Sequence, residues 1–230
     1  MSAGLLKTIA LSVALACPLP AAFAADLTAG AVAAPDRYGA NVAAHILQAG
    51  GNAVDAAVAT AFTLAVTYPE AGNIGGGGFM TLYVDGKPYF LDYREVAPKA
   101  AGKTMYLNEK GEVIENLSLV GSRAAGVPGT VLGMETAREK YGKLSREQVL
   151  APAIRLAREG FVLTRADTDI LDTTVARFKQ DPESAKIFLR PDGSPLQPGD
   201  KLVQTDLANT LEAIAKGGTD AFYKGKIPQA

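Results

Sequence analysis

Cysteine and histidine are almost missing from this sequence: its 230 residues contain one of each, Cys17 and His45. From Ala25 onward there is no cysteine, so that stretch can form neither a disulfide nor a thiolate nucleophile or ligand. A single histidine excludes a histidine-based zinc site and leaves one candidate for any Ser/His arrangement. Charge of one sign is also lacking. The chain carries 23 Lys and Arg against 24 Asp and Glu, interspersed to a net charge of -1, so no basic stripe offers itself to a nucleic-acid backbone. Three motifs are absent as well: a GxxxxGKS/T phosphate loop, a GxGxxG between strand and helix, and a GxSxG nucleophile elbow. What remains is the balance of a globular protein able to bury a core, 48% hydrophobic and 20% charged.

The N-terminus reads as a secretory signal peptide. Lys7 precedes the apolar run TIALSVALACPL, and Ala22, Phe23 and Ala24 supply a small-x-small cleavage pattern, which places residues 1–24 in the leader and 25–230 in the mature body. The run is well short of the ~20 residues a spanning helix needs, so no membrane attachment is expected after cleavage. A lipoprotein site at Cys17 is disfavoured by Ala14 before it and Pro18 after it. Export without cysteines suits a bacterial periplasm.

Beyond the leader, AGAVAAP suggests a short buried strand of small residues. Helical spacing of Ala40, Ala43, Ala44 and Leu47 predicts a helix over 36–48, stopped by Gly50 and Gly51. Asn52 with Asp55 three residues later predicts a capped start for a helix over 53–66, apolar nearly all round and therefore buried. Further helices are expected at 130–141, after a Ser145/Gln148 capping box, from Pro152 to Gly160, over 166–178, and from a Thr205 cap to Ala215 with Gly217 and Gly218 as its stop. No linker or internal repeat divides the chain.

The stretch EAGNIGGGGFM holds four consecutive glycines, Gly75–Gly78, a costly run that implies something must approach bare backbone there. It leads into FMTLYV and KPYFLDYR, β-rich runs joined by Asp85-Gly86, the signature of a two-residue type I′ hairpin. The implied register sets Val84 opposite Lys87, Leu82 opposite Tyr89, Met80 opposite Leu91, Gly78 opposite Tyr93 and Gly77 opposite Arg94, with Pro88 marking the second strand as an edge or bulge. Arg94 then emerges beside backbone with no side chains to block it, where a small anion could reach both its guanidinium and the glycine amides. The plainer alternative pairs Arg94 with Glu95 or Asp92. Of the other chemistry-bearing residues, His45 reads as a surface histidine on an amphipathic helix, and Asp92/Glu95 and Asp167/Asp169/Asp172 read as solvated faces and helix ends. The residues alone reveal no nucleophile.

Taken together, AVAAPDRYGANVAAHILQAGGNAVDAAVATAFTLAVTYPEAGNIGGGGFM, DYREVAP, GVPGTVLGMETAREKYGKLSREQVLAPAIRLAREGF and FYKGKI resemble the N-terminal part of the precursor of γ-glutamyltransferases, also called glutathione hydrolases. The resemblance runs from about Ala29 to Ile227. It implies an α+β fold, part of the αββα sandwich of N-terminal-nucleophile hydrolases and incomplete in this chain. It also implies a precursor that cleaves itself, and a threonine, expected downstream of residue 230, that attacks the γ-glutamyl carbonyl of glutathione or a related compound. The glutamyl group then passes to water, an amino acid or a peptide. No catalytic residue, metal or cofactor is expected in this chain. Its partner would be the small subunit from the same precursor, and Arg94 would bind the α-carboxylate of the γ-glutamyl group. Two rivals are a related cephalosporin or glutaryl acylase and a non-catalytic periplasmic ligand-binding protein.

Overall fold

The structure, a computed structural model, describes residues 30–229, so the expected leader at 1–24 lies outside the described residues. Its axis is α2 (Ala53–Thr67), the helix whose sequence has no polar face. Val58, Ala59, Phe62 and Val66 are buried on it, and α1 (Arg37–Gln48), α3 (Thr130–Tyr141) and α4 (Arg146–Glu159) pack around it. A last long helix, α8 (Thr205–Tyr223), lies against α4 through Leu211, Ile214 and Ala215. A hairpin of β1 (Phe79–Val84) and β2 (Lys87–Asp92) follows α2 in the chain. The two-residue strands β3 (Phe161–Val162) and β4 (Lys201–Leu202) pair antiparallel, and α5 (Arg165–Asp172), α6 (Val175–Phe178) and α7 (Pro182–Phe188) lie between them in sequence. Helices with small antiparallel sheets are the α+β class that the resemblance implies.

The start of α2 joins distant parts of the chain. Asn52 caps the helix by accepting from the Val54 and Asp55 amides, while its own amide nitrogen donates to the Tyr141 carbonyl at 2.6 Å. The Asp55 carboxylate is fully buried, and it is satisfied by backbone. It accepts from Asn52 N–H at 2.9 Å, Lys143 N–H at 3.0 Å and Leu144 N–H at 3.2 Å. A capping box that sequence reads as local therefore also fastens the α3–α4 turn to α2, because a buried carboxylate must find donors wherever they lie. At the other end of α2, Thr67 donates to Asp36 Oδ2 at 2.6 Å, and Asp36 caps α1.

A second buried acid, Glu135 on α3, is held by Arg138 from its own helix and by Arg146 at 2.9 Å from α4. Burial pushes its carboxyl upward, but hydrogen bonds and charge from the two arginines outweigh this and hold the group below its ordinary value of 4.5.

Five expectations are corrected. Residues 30–35 form no strand: they run largely exposed, with no described segment alongside to complete a ladder, and a groove of about 510 Å³ lies between Gly30–Ala33 and α2. Pro152 does not open a helix but lies inside α4. It forfeits one backbone bond, while the continuous buried face of Val149, Leu150, Ala153 and Ala157 carries the helix through. The helix expected over 166–178 divides into α5 and α6 at Thr173 and Thr174. Gly217 and Gly218 kink α8 rather than stop it, with Gly218 at φ +63° against the Arg146 guanidinium. The N-cap of α8 is Gln204, not Thr205, and its side chain donates to the Val66 carbonyl at 2.8 Å instead of capping.

Two outcomes follow for stability. Asp55→Ala strands the Lys143 and Leu144 amides and should cost roughly 2–4 kcal/mol in urea unfolding; a loss below about 0.5 kcal/mol contradicts this latch. For Glu135 the folded value is the lower one, so its contribution is complete above pH 4.5 and lost as pH falls through the folded value. Thermal midpoints measured against pH should therefore drop more steeply below that point in the parent than in Glu135→Gln, which is already less stable at neutral pH. Parallel curves contradict it.

Candidate functional site

The hairpin forms with the register read from sequence: Val84 pairs with Lys87, Leu82 with Tyr89 and Met80 with Leu91. Asp85 and Gly86 have φ of 51° and 75°, the two positive angles of a type I′ turn. Pro88 sits opposite Tyr83 without shifting the register, on a strand whose sheet partner among the described residues is β1 alone. The alternation buries Leu82 and packs Met80 and Leu91 against the core, while Phe79, Tyr83 and Phe90 point outward. Phe79 and Phe90 stack with centroids 5.6 Å apart.

The ladder runs one pair beyond β2, where Gly78 and Tyr93 exchange both backbone hydrogen bonds, at 3.0 and 3.3 Å. Here the glycine run finds its reason. A Cβ on Gly77 would stand 2.4 Å from the Tyr93 carbonyl oxygen, and one on Gly78 would stand 3.1 Å from the Tyr93 ring. From the other side, a Cβ on Gly129 would lie 2.0 Å from the same carbonyl oxygen, and one on Gly133 of α3 would lie 2.3 Å from the ring at Cγ. Close approach requires glycine at 77, 129 and 133, where no β-carbon fits, while at Gly78 the ring would have to give by a few tenths of an ångström. The Gly76 carbonyl accepts from the amides of Gly129 and Thr130 at 2.7 and 3.0 Å, capping α3, whose N-cap residue Gly129 has no side chain to do so. Gly75 alone of the four faces open space. The run that reads as a cradle for a ligand is thus used largely to seat Tyr93 and start α3.

Tyr93 is half-buried, and that burial pushes its phenol upward. Arg94, the next residue, points out. Its side chain is 61% exposed, its N–H donates to Asp92 Oδ1 at 3.0 Å, and its guanidinium lies over the Phe79 ring at 5.8 Å. Nε is 3.1 Å from Glu95 Oε2, close enough for an ion pair but not aligned as a hydrogen bond, so that buried oxygen keeps no hydrogen-bond partner among the described residues. An ion pair this exposed holds the arginine weakly. The guanidinium therefore remains a planar donor set able to grip a carboxylate with two parallel bonds. Two residues further on, Val96 and Val127 exchange backbone bonds at 3.2 and 2.8 Å, so the backbone is anchored on both sides of Arg94.

The remaining candidates stay apart from this point. His45 is exposed on α1 and lines a surface groove with Gln148 and Arg155. Asp167 completes the capping box of α5 with Thr164, and Asp169 faces Arg165 at 3.6 Å in solvent. Sequence reasoning missed the part played by Gly129 and Gly133. Their i, i+4 spacing at the start of α3 is a signal of close packing, but nothing local names Tyr93 as what packs there.

The family model described as Gamma-glutamyltranspeptidase matches residues 39–230. The chain is 61% identical over 221 residues to the glutathione hydrolase proenzyme of Pseudomonas aeruginosa, covering 96% of this chain and 39% of that protein. It is 44% identical over 201 residues to the glutathione hydrolase proenzyme of Escherichia coli, covering 87% of this chain and 35% of that one. Among solved structures it superposes with a TM-score of 0.81 on the gamma-glutamyltranspeptidase of Pseudomonas nitroreducens complexed with L-DON, at 62% identity over 88% of this chain and 59% of that chain. The chain thus spans well under half the length of these two curated relatives.

Proposed function

The chain belongs to the gamma-glutamyltranspeptidase family, and on that premise we propose that it is the N-terminal portion of the large subunit of a γ-glutamyltransferase, or glutathione hydrolase, acting in the periplasm. The observation that supports the reading is the exposed, weakly paired guanidinium of Arg94 on a backbone fixed at Tyr93 and Val96. In this reading Arg94 takes the α-carboxylate of the γ-glutamyl group through two N–H donors. That fixes one end of the substrate and leaves the γ-carbonyl in a set position for attack. The attacking group is a threonine on the small subunit, released when the precursor cleaves itself; its hydroxyl displaces the amine of the γ-glutamyl amide to leave a glutamyl ester on the threonine, and water, an amino acid or a peptide then takes the glutamyl group and frees the threonine hydroxyl. The residues described here contribute binding and orientation, with no catalytic group of their own.

Glutathione and related γ-glutamyl compounds are the substrates of this reading, and the small subunit of the same precursor is its partner. Export is supported by the leader-like sequence at 1–24. No helix among the described residues is long and apolar enough to cross a membrane.

In the enzyme made from the complete gene, Arg94→Ala should lower kcat/KM for a γ-glutamyl substrate by roughly two to three orders of magnitude, or about 3–4 kcal/mol, with Arg94→Lys losing less. Unchanged kinetics contradict the assignment. Running a glutaryl amide in the same assay separates the acylase alternative, which requires no α-amino group. On a denaturing gel the complete product should give two chains, and N-terminal sequencing of the smaller should begin at Thr. A single unprocessed chain would leave the ligand-binding alternative.

A further inference from the structure

Arg94 has a long, exposed and weakly paired side chain, so the placement of its guanidinium depends on the backbone beneath it. That backbone is set by Tyr93. The Tyr93 peptide is paired to Gly78, its carbonyl oxygen is wedged between Gly77 and Gly129, and its ring lies across Gly78 and Gly133. These glycines come from two sides, the turn into β1 and the start of α3, and the Gly76 carbonyl ties the two sides together by capping α3. A side chain at Gly77, Gly129 or Gly133 would push Tyr93, and with it Arg94, out of place, whereas one at Gly78 asks the ring to give by only a few tenths of an ångström. We propose that Tyr93, gripped by this collar, is a positioning residue that sets where Arg94 meets the substrate carboxylate and so how strongly the enzyme selects substrates carrying one.

The proposal rests on the carboxylate-binding role given to Arg94, and it makes a separate demand. A positional error of about 1 Å in a substrate anchor can cost on the order of a hundredfold in rate, so the collar should be visible in selectivity and not only in stability. The ring of Tyr93 is the part the collar holds. Among the described residues its hydroxyl reaches the Phe79 carbonyl alone, at 3.4 Å, a weak contact.

The test uses the complete, processed enzyme and two probes, a γ-glutamyl anilide and the same anilide lacking the α-carboxylate. The quantity read is the ratio of their kcat/KM values, which a loss of folded enzyme does not change. Gly133→Ala should reduce the ratio about tenfold or more, chiefly through KM for the carboxylate-bearing probe. Tyr93→Leu makes room instead of a clash and so remains available if Gly133→Ala fails to fold; it should reduce the ratio similarly, whereas Tyr93→Phe should keep it. Arg94→Ala serves as the reference and should bring the ratio close to one. If Arg94→Ala collapses the ratio while Tyr93→Leu and any folded Gly133→Ala enzyme leave it intact, the positioning role is overturned and the role of Arg94 stands. If Arg94→Ala itself leaves the ratio intact, both are overturned.

Discussion

Two stretches of backbone meet the peptide and ring of Tyr93 at distances that admit no β-carbon, and the arrangement of the site depends on that contact. The approach of Gly77 and Gly129 to one carbonyl oxygen brings the turn into β1 against the start of α3. Once these are together, the Gly76 carbonyl is in place to cap α3, and the hairpin leaves this junction in a register that sends Leu82 inward and Phe79 outward. Arg94 follows directly from the clamped residue. Four glycines would be an expensive way to build a loop, since each gives up more conformational freedom on folding than another residue would. Here the cost is offset by close packing that fixes the backbone from which Arg94 projects.

The helices beneath serve the same end through buried charge. Asp55 is wholly enclosed, yet every donor described around it is backbone: one at the helix start it caps and two in the turn between α3 and α4. Glu135 then joins α3 to α4 through Arg146. Since α3 carries Gly133, the wall behind the Tyr93 ring, these two acids fix the support of the site without touching it. An unpaired buried acid is severely destabilising, so α3 has few alternative positions that keep both satisfied.

The sequence made the local features legible. The Asp85-Gly86 turn and the period of two along each strand were enough to set the hairpin register as far as Gly78 and Tyr93, and the capping boxes at Asn52 and Ser145 marked helix starts correctly. What escaped depended on distant partners. Gly217 and Gly218 look like a stop, but burial of Leu211, Ile214 and Ala215 on one side and Arg146 beside Gly218 on the other carry α8 through a kink. The small-residue strand expected at 29–35 lacks a described neighbour to pair with. At the site, sequence placed Arg94 beside the glycines and named Glu95 as its plain partner, and both are seen. It did not give the purpose of the glycines, because Gly129 and Gly133 come into view as partners of Tyr93 only once α3 is in place.

The proposed γ-glutamyl role of this chain comes down to where a bound carboxylate lies. A crystal structure of the complete, processed enzyme with glutamate bound tests that most directly. The account predicts the α-carboxylate within about 3 Å of two nitrogens of the Arg94 guanidinium, with Tyr93 still seated among its glycines. A glutamate whose α-carboxylate is held by other residues, with Arg94 turned away toward Glu95 or solvent, would contradict it.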